Sequence, residues 1–103
     1  MSASIYFNRD GGRQCIFLAG SSEIENRWLP IIQNHQLGCL EVVFSAGISI
    51  DAGVHAQLLH ELAVIQRELE AALPFEGVVS RIHRLLEFLR SNEPNEALGL
   101  YIG

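Results

Sequence analysis

Two short segments near the start of the chain carry strand-forming residues, with a turn signal between them. Ser4 to Asn8 alternates weakly between polar and apolar positions, and Gln14 to Ala19 is apolar over most of its length. The β-branched and aromatic side chains in both segments favour extended backbone. Between the segments, Asp10-Gly11 supplies the positive φ angles that tight hairpin turns require. The pattern predicts an N-terminal β-hairpin.

Two later segments repeat apolar residues at spacings of three and four, which is typical of helices with one buried face. The first follows Asp51, a good N-cap residue, and should run from about Ala52 to Ala72, before Pro74. A short connection at Phe75-Glu76-Gly77 favours an antiparallel second helix, which should end near Ser91. The predicted apolar stripes are Val54, Leu58, Leu62, Ile65 and Leu69 in the first helix and Val78, Ile82, Leu85, Leu86 and Leu89 in the second.

The segment after the hairpin contains competing helix signals. Ser22, with Glu25 three residues later, matches the capping-box pattern at a helix start. Pro30 disfavours the α conformation in the residue before it and has no N–H to donate. The sequence therefore predicts a separate short helix from Leu29 or Pro30 to about Gly38, in place of one continuous helix that begins at Ser22.

Two further segments could add strands. Leu40 to Phe44 is β-branched and aromatic enough for a strand, but the segment that continues to Ile50 fits an irregular connector equally well. After a loop at Asn92 to Asn95, the apolar residues from Leu98 to Ile102 predict a short final strand. This strand is expected to join the sheet of the hairpin.

Together these elements predict an α+β fold. In this two-layer domain, a small, mostly antiparallel sheet, made of the N-terminal hairpin and the C-terminal strand, packs on two antiparallel helices. A chain of 103 residues fits a single domain, residues 1–103. Apolar residues make up 49% of the chain and charged residues 18%, so we expect a buried core and no intrinsic disorder.

The start of the chain and its cysteines indicate a cytoplasmic protein. No basic segment precedes the apolar run Ile5 to Phe7, which is too short for a signal peptide, and no window is long enough to span a membrane. Cys15 and Cys39 form no C-x-x-C motif and flank hydrophobic residues. We therefore expect buried free thiols and no membrane partner.

The charge balance narrows the class of partner. Seven arginines against twelve acidic residues give a formal net charge of −5, and lysine is absent. Because phosphate neutralisation needs a basic surface, we expect no nucleic-acid partner. A basic protein remains compatible with this charge.

Motifs for catalysis or metal binding are incomplete. His60-Glu61 begins like the zinc-protease motif, but Val64 stands where the second histidine is needed. The segment from Gly47 to Asp51 resembles a nucleophile elbow with Asp51 in place of the second glycine. The sequence therefore predicts no catalytic residue, no metal site and no cofactor.

One flank of the first long helix is a candidate binding surface. With the apolar stripe facing the core, this flank presents Gln57, Glu61, Val64 and Glu68. The simplest interpretation is a solvated face, and the functional one is a surface for a basic partner. Further candidate partner-binding residues are Glu23, Glu25 and Asp51. Trp28 is expected in the core more than at a partner surface.

The order of elements resembles that of the small acidic immunity proteins that bacteria make against toxins delivered by neighbouring cells. The resemblance rests on the hairpin, the two helices and four short segments: Arg27-Trp28-Leu29-Pro30, Ser45-Ala46-Gly47, Leu58-Leu59-His60-Glu61-Leu62 and Leu100-Tyr101-Ile102-Gly103. It implies stoichiometric neutralisation of a cognate toxin, often a basic nuclease, by protein–protein interaction and without a cofactor. No individual binding residue is carried over from the resemblance.

Two alternatives from other functional classes remain open. The first is a small enzyme or ligand-binding domain with a site between sheet and helices, which would use His35, His60 or Ser49. The second is a structural subunit that dimerises through an edge strand or through the small residues on the outer face of the first long helix. Whether the protein is a monomer or a homodimer is not determined by the sequence.

Overall fold

The first two strands form the predicted hairpin. The computed structural model describes the backbone of residues 2–72 and 76–103 and the side chains outside residues 72–79. In it, β1 (Ala3–Arg9) pairs antiparallel with β2 (Gly12–Ala19). Asp10 and Gly11 occupy the turn with φ angles of 53° and 76°. Positive φ at both central residues is the signature of a type I′ turn, whose twist matches that of the paired strands.

The sheet has four strands, all antiparallel, in the order β2-β1-β4-β3. The two remaining strands are short: β3 (Ile48–Ser49) and β4 (Tyr101–Ile102). The strand predicted from Leu98 to Ile102 is confirmed only at its end, because Leu98 and Gly99 are used in a turn that closes on Asn95. The sheet therefore ends in a long edge strand, β2, on one side and a two-residue strand, β3, on the other.

The helical elements cover one face of this sheet, which confirms the predicted α+β fold. They are α1 (Ser21–Glu23), a π-helical turn (Ile24–Trp28), α2 (Leu29–His35), α3 (Gly38–Ser45), α4 (Ala52–Ala72) and α5 (Glu76–Ser91). Helix α4 has the predicted bounds, and its first turn is capped by Asp51 Oδ1, which accepts the N–H of Val54 at 2.8 Å. Glu76 and Gly77 belong to α5, so they are not a connection. Pro74 and Phe75 lie outside the described residues.

The two predicted stripes lie in the core. The buried members are Leu58, Leu62, Ile65 and Leu69 of α4 and Ile82, Leu85, Leu86 and Leu89 of α5. Val54 is half-buried, and the side chain of Val78 lies outside the described residues. From the sheet, Ile5, Phe7 and Ile102 pack against the same cluster. Burial of each large apolar side chain stabilises the fold by about 1.5–3 kcal/mol, which makes this cluster the main source of stability.

Helix α2 begins at Leu29, as predicted, and ends at His35, before the predicted end near Gly38. The prediction that this helix is separate from the preceding segment is wrong, because helical backbone runs from α1 through α2. The N-cap is Gly20, without a side-chain hydrogen bond, and Glu25 is exposed, so the predicted capping box at Ser22 is also wrong. The π-helical turn ends two residues before Pro30. A π turn changes the spacing of backbone carbonyls, and so tolerates a residue that has no N–H and whose ring needs room.

The segment from Leu40 to Phe44 is neither a strand nor an irregular connector, because it lies within α3. Leu40, Val43 and Phe44 are buried, and their spacing of three and four places them on one helical face. Contacts with α4 and α2 thus outweigh the β propensity of this segment. The backbone turns from α3 into β3 at Gly47, whose φ of 76° favours glycine.

The two cysteines are free, but they are not both buried. Cys15 is exposed and Cys39 is half-buried. Cys15 pairs with Tyr6 across the hairpin, on the sheet face opposite to the buried Ile5 and Phe7. The alternation of side chains along a strand thus explains the exposure of Cys15. In the part of the chain that the structure describes, no helix has the length and apolar character needed to cross a membrane.

Candidate partner-binding surfaces

The predicted acidic flank of α4 is not an exposed surface at two of its four positions. Glu61 is 0% exposed and Val64 is 6% exposed, because α3 packs over this side of α4. The two carboxylate oxygens of Glu61 accept the backbone N–H groups of Leu40 at 2.8 Å and Cys39 at 3.1 Å. The interpretation of Glu61 and Val64 as accessible to a partner is therefore wrong.

Glu61 instead caps the N-terminus of α3. The first N–H groups of a helix have no partner within the helix, and the helix dipole favours a negative charge at that end. The amide of Gln57 adds a third hydrogen bond, with Nε2 at 2.6 Å from the carboxylate. A buried carboxylate with three donors is well satisfied, so the role of Glu61 is to attach α3 to α4. Burial, and then the nearby charge of Glu61, raise the pKa of Cys39 to about 11.

The other two residues of the flank are also engaged within the molecule. Gln57 is exposed, but its amide is bonded to Glu61. Glu68 Oε1 lies 3.2 Å from His35 Nε2, and both side chains are partly exposed. Exposed pairs of this kind contribute little to stability, so Glu68 remains available to a competing partner group.

Glu23 belongs to a network that joins the N-terminal helices to α5. Its Oε1 lies 2.8 Å from Arg81 Nη1, and its Oε2 accepts the indole N–H of Trp28 at 2.8 Å. Trp28 is fully buried, as expected for a core residue. Both carboxylate oxygens of Glu23 are therefore occupied inside the molecule, which makes Glu23 a structural residue more than a docking residue.

A groove between the helical run and α3 brings together apolar side chains and two carboxylates. Its volume is about 340 Å³. The apolar side chains are those of Ile24, Leu29, Ile32 and Phe44, and the polar ones those of Glu25, Gln33, Glu41 and Ser45. We call this site the acidic groove. One wall comes from the π-helical turn and α2, and the other from α3, the helix that Glu61 attaches to α4.

The two carboxylates of the acidic groove are available for intermolecular contacts. Glu25 and Glu41 are both exposed, and neither has an ion-pair partner among the residues that the structure describes. Glu25 is one of the predicted partner-binding residues. Glu41 was missed because its segment was interpreted as a strand or connector, where its position relative to Glu25 could not be inferred.

A second cavity, of about 470 Å³, lies beside Ser49. Arg13, Asp51 and Tyr101 are among its lining residues. Arg13 Nη1 donates to Gly99 O at 2.8 Å and to Asn8 Oδ1 at 3.1 Å, which fixes the guanidinium at the rim. The cavity thus presents fixed charges of both signs and a hydroxyl.

The histidines of the enzyme alternative lie apart from this cavity. No histidine is among its lining residues, so Ser49 has no imidazole base there. His35 pairs with Glu68, and His60 is exposed on α4. Among the residues whose side chains the structure describes, no three His, Cys, Asp or Glu residues come together in a way that could hold a metal ion.

Comparison with known proteins adds no relative. No protein-family model matches the chain, and neither a curated protein nor a solved structure matches it significantly. The binding properties of the molecule are therefore inferred from its own surfaces. Of these, the acidic groove combines an apolar floor with carboxylates that form no ion pair with any described residue.

Proposed function

We propose that this protein binds a basic protein partner through the acidic groove, and that binding neutralises the partner as an immunity protein neutralises its toxin. The observation that supports this proposal most directly is the pairing of an apolar floor with Glu25 and Glu41 on the rim. The net charge of −5 has the sign that such a partner requires.

The dimensions of the groove suit an apolar side chain flanked by cations. A volume of about 340 Å³ accommodates one or two large apolar side chains of a partner. Burial of each such side chain contributes about 1.5–3 kcal/mol before the costs of association. Arginine or lysine residues beside the apolar anchor would then face Glu25 and Glu41.

Neutralisation requires only that the protein cover the active site or substrate-binding surface of its partner. An acidic surface attracts a cationic cleft over distance and increases the association rate, and the docked protein then blocks access of the substrate. Rigid elements suit this role because they lose little conformational entropy on binding. The attachment of α3 by Glu61 provides this rigidity at one wall of the groove.

The proposal is tested by charge removal at the rim. The full chain is titrated with an amphipathic helical peptide that carries leucine and arginine on one face, and with a peptide in which glutamate replaces arginine. Glu25→Gln with Glu41→Gln should weaken binding of the arginine peptide about tenfold, since each lost ion pair costs about 0.5–1 kcal/mol at a partly shielded site. Binding should also weaken with added salt.

The matched control removes two exposed carboxylates elsewhere, with Glu70→Gln and Glu93→Gln. Equal losses in the two double variants would show attraction by net charge alone and would contradict a docking role of the groove. The neutralisation step is tested with the basic protein captured from the native cell. The wild-type chain should inhibit its activity at a one-to-one ratio, and the Glu25→Gln/Glu41→Gln variant should not.

A second candidate function is supported by the cavity beside Ser49. Its fixed Arg13 guanidinium and Asp51 carboxylate suit a small zwitterionic ligand. Titration of the chain with free amino acids, followed by NMR, should then shift the amide signals of Ser49 and Asp51. Unchanged signals at about 10 mM ligand, a concentration that detects even millimolar affinity, would remove this candidate.

A further inference from the structure

The outer edge of β2 has backbone groups that no other strand pairs. In a two-residue hairpin, the residues that flank the turn form a hydrogen-bonded pair, and such pairs alternate along the ladder. Given the pairing of Arg9 with Gly12, the backbone N–H and C=O groups of Arg13, Cys15 and Phe17 point away from β1. No described strand pairs with this edge. A side chain reaches it at one point, where Arg81 Nη1 donates to Leu18 O at 3.2 Å.

From Gln14 to Phe17, this edge lacks the features that usually prevent strand addition. Proteins protect edge strands with charged residues or proline, or by covering them. Gln14 to Ala19 contains no charged residue and no proline. Cys15 is exposed, and the Phe17 side chain is 49% exposed. The edge is therefore competent to pair with a further strand.

A concave site with two arginines lies beside the same edge. Its volume is about 320 Å³, and it is lined by Ile16, Phe17, Arg81 and Arg84. The guanidinium carbon of Arg81 lies 5.3 Å from the centre of the Phe17 ring. Arg81 is paired with Glu23, whereas Arg84 is exposed and has no ion-pair partner among the described residues.

Arg13, at the start of β2, does not place its charge at this edge. Its guanidinium reaches inward across β1, where Nη1 donates to Asn8 Oδ1 and to Gly99 O, next to β4. The hairpin contains one acidic residue, Asp10, which lies in the turn. We call β2 from Gln14 to Phe17, together with Arg84, the cationic edge. Its charge is opposite in sign to the net charge of the chain.

We propose that the cationic edge binds an extended acidic segment of a partner protein, which adds to the sheet as a fifth strand beside β2. Backbone hydrogen bonds to Arg13, Cys15 and Phe17 would supply affinity, as in other complexes formed by strand addition. A carboxylate of the segment would pair with Arg84 and would select an acidic sequence. This interaction is separate from the acidic groove and requires a partner segment of opposite charge.

The register predicts where the acidic residue of the segment must lie. Successive side chains of a strand point to opposite faces. Ile16 lies on the helix-covered face, and Arg84 lines the concave site beside it. A docked strand would reach Arg84 from the position opposite Ile16. An extended segment with glutamate at that position therefore fits best.

The test uses the full chain, labelled with ¹⁵N, and a short peptide of valine and threonine with one glutamate at its centre. We expect shifts in the amide signals of Arg13, Cys15 and Phe17, and slower hydrogen exchange at these amides. Arg84→Gln should weaken binding about fivefold, while Arg90→Gln, an exposed arginine on the same helix, should leave it unchanged. Glu25→Gln with Glu41→Gln should have no effect on this peptide.

Two altered peptides complete the test. Replacement of the glutamate by lysine, or N-methylation of the residues whose N–H groups face β2, should abolish binding. Equal binding of the lysine peptide would overturn the proposed partner class, and no binding of the glutamate peptide at about 1 mM would overturn strand addition.

A second copy of the chain is the competing occupant. Antiparallel pairing of two β2 edges about Cys15 would place the two Cys15 Cα atoms about 5.5 Å apart, within reach of a disulfide. Mild oxidation of a Cys39→Ser variant would then give a covalent dimer through Cys15. A dimer of this kind that excludes the glutamate peptide would overturn the proposal. A monomer under the same conditions, with the peptide bound, would support it.

Discussion

The acidic groove and the cationic edge differ both in charge and in how they are built. The groove takes its side chains from the π-helical turn, α2 and α3, and its α3 wall depends on a cap donated by α4. The edge is mostly a product of one hairpin, with arginines added from α5. The comparison shows that a net charge of −5 conceals surfaces of both signs. It also indicates that mutations should affect the two surfaces separately.

The strongest way to separate the two surfaces is Glu61→Ala. Loss of the buried carboxylate leaves the N–H groups of Cys39 and Leu40 without acceptors, so we expect about 3 kcal/mol of destabilisation in urea unfolding. Groove binding should fall with it, while the folded fraction should keep peptide binding at the cationic edge. Glu70→Ala, exposed on the same helix, should stay within about 0.5 kcal/mol of wild type. A loss below about 1 kcal/mol in Glu61→Ala would show that the cap is not important for stability.

The network of Glu23, Trp28 and Arg81 connects the two surfaces. Glu23 is adjacent in the chain to Ile24, which lines the acidic groove, and Arg81 lines the concave site beside the cationic edge. A double-mutant cycle with Glu23→Gln and Arg81→Met should give a coupling of about 1 kcal/mol, since both side chains are mostly shielded from water. The exposed pair His83 and Glu87 provides the control, with an expected coupling of about 0.3 kcal/mol. Equal couplings would mean that the network does not link the two regions.

Two glycines, one beside each surface, should respond in opposite directions to alanine. Gly11→Ala places a Cβ at a φ of 76° in the hairpin turn and should destabilise the fold by about 1 kcal/mol, with weaker strand addition at β2. Gly38→Ala lies at the start of α3, where a new Cβ meets no atom within 4 Å, and should stabilise the fold by about 0.5 kcal/mol. Thermal unfolding of both variants measures the difference. Changes of the same sign would contradict the assigned backbone roles.

The labelling rates of the two thiols compare the two regions without a large change in the stability of the protein. Cys15 is exposed at the edge, whereas the pKa of Cys39 is raised to about 11 from 9.0. At about pH 8, this shift leaves Cys39 with roughly 100-fold less thiolate than the same thiol would have with a pKa of 9.0. Iodoacetamide should therefore label the exposed Cys15 far faster than Cys39. Glu61→Gln removes the second cause of the shift and should accelerate labelling of Cys39 while burial keeps it slow. An unchanged rate in that variant would contradict the electrostatic contribution of Glu61.

Some residues of the two candidate surfaces could be predicted from sequence and others could not. Glu25, an exposed acidic residue before an apolar segment, was chosen as a partner-binding candidate, and it lines the acidic groove. Its role in binding stays a prediction. Glu41 and Arg84 were missed as site residues because their roles depend on neighbours distant in the chain. Glu61 and Val64 were placed on an exposed flank because helical periodicity assigns faces of a helix but does not show which faces a second helix covers.

The sequence by itself determined the elements whose signals are local. These are the hairpin around Asp10-Gly11, the bounds of α4, the buried stripe of α5 and the resulting α+β fold. Turn residues, N-caps and apolar periodicity act within a few positions, so they can be read without knowledge of the fold.

Tertiary structure alone decided the features that need partners from distant segments. The segment around Leu40 became a helix because Glu61, twenty-one positions away, caps its first N–H groups while its apolar face packs inward. Helical backbone continued through Pro30 by way of a π turn, in a run whose buried side chains Ile24, Trp28 and Ile32 hold it against the core. In both cases, burial and long-range hydrogen bonds outweighed local propensities of at most a few kcal/mol, and they thereby built the walls of the acidic groove.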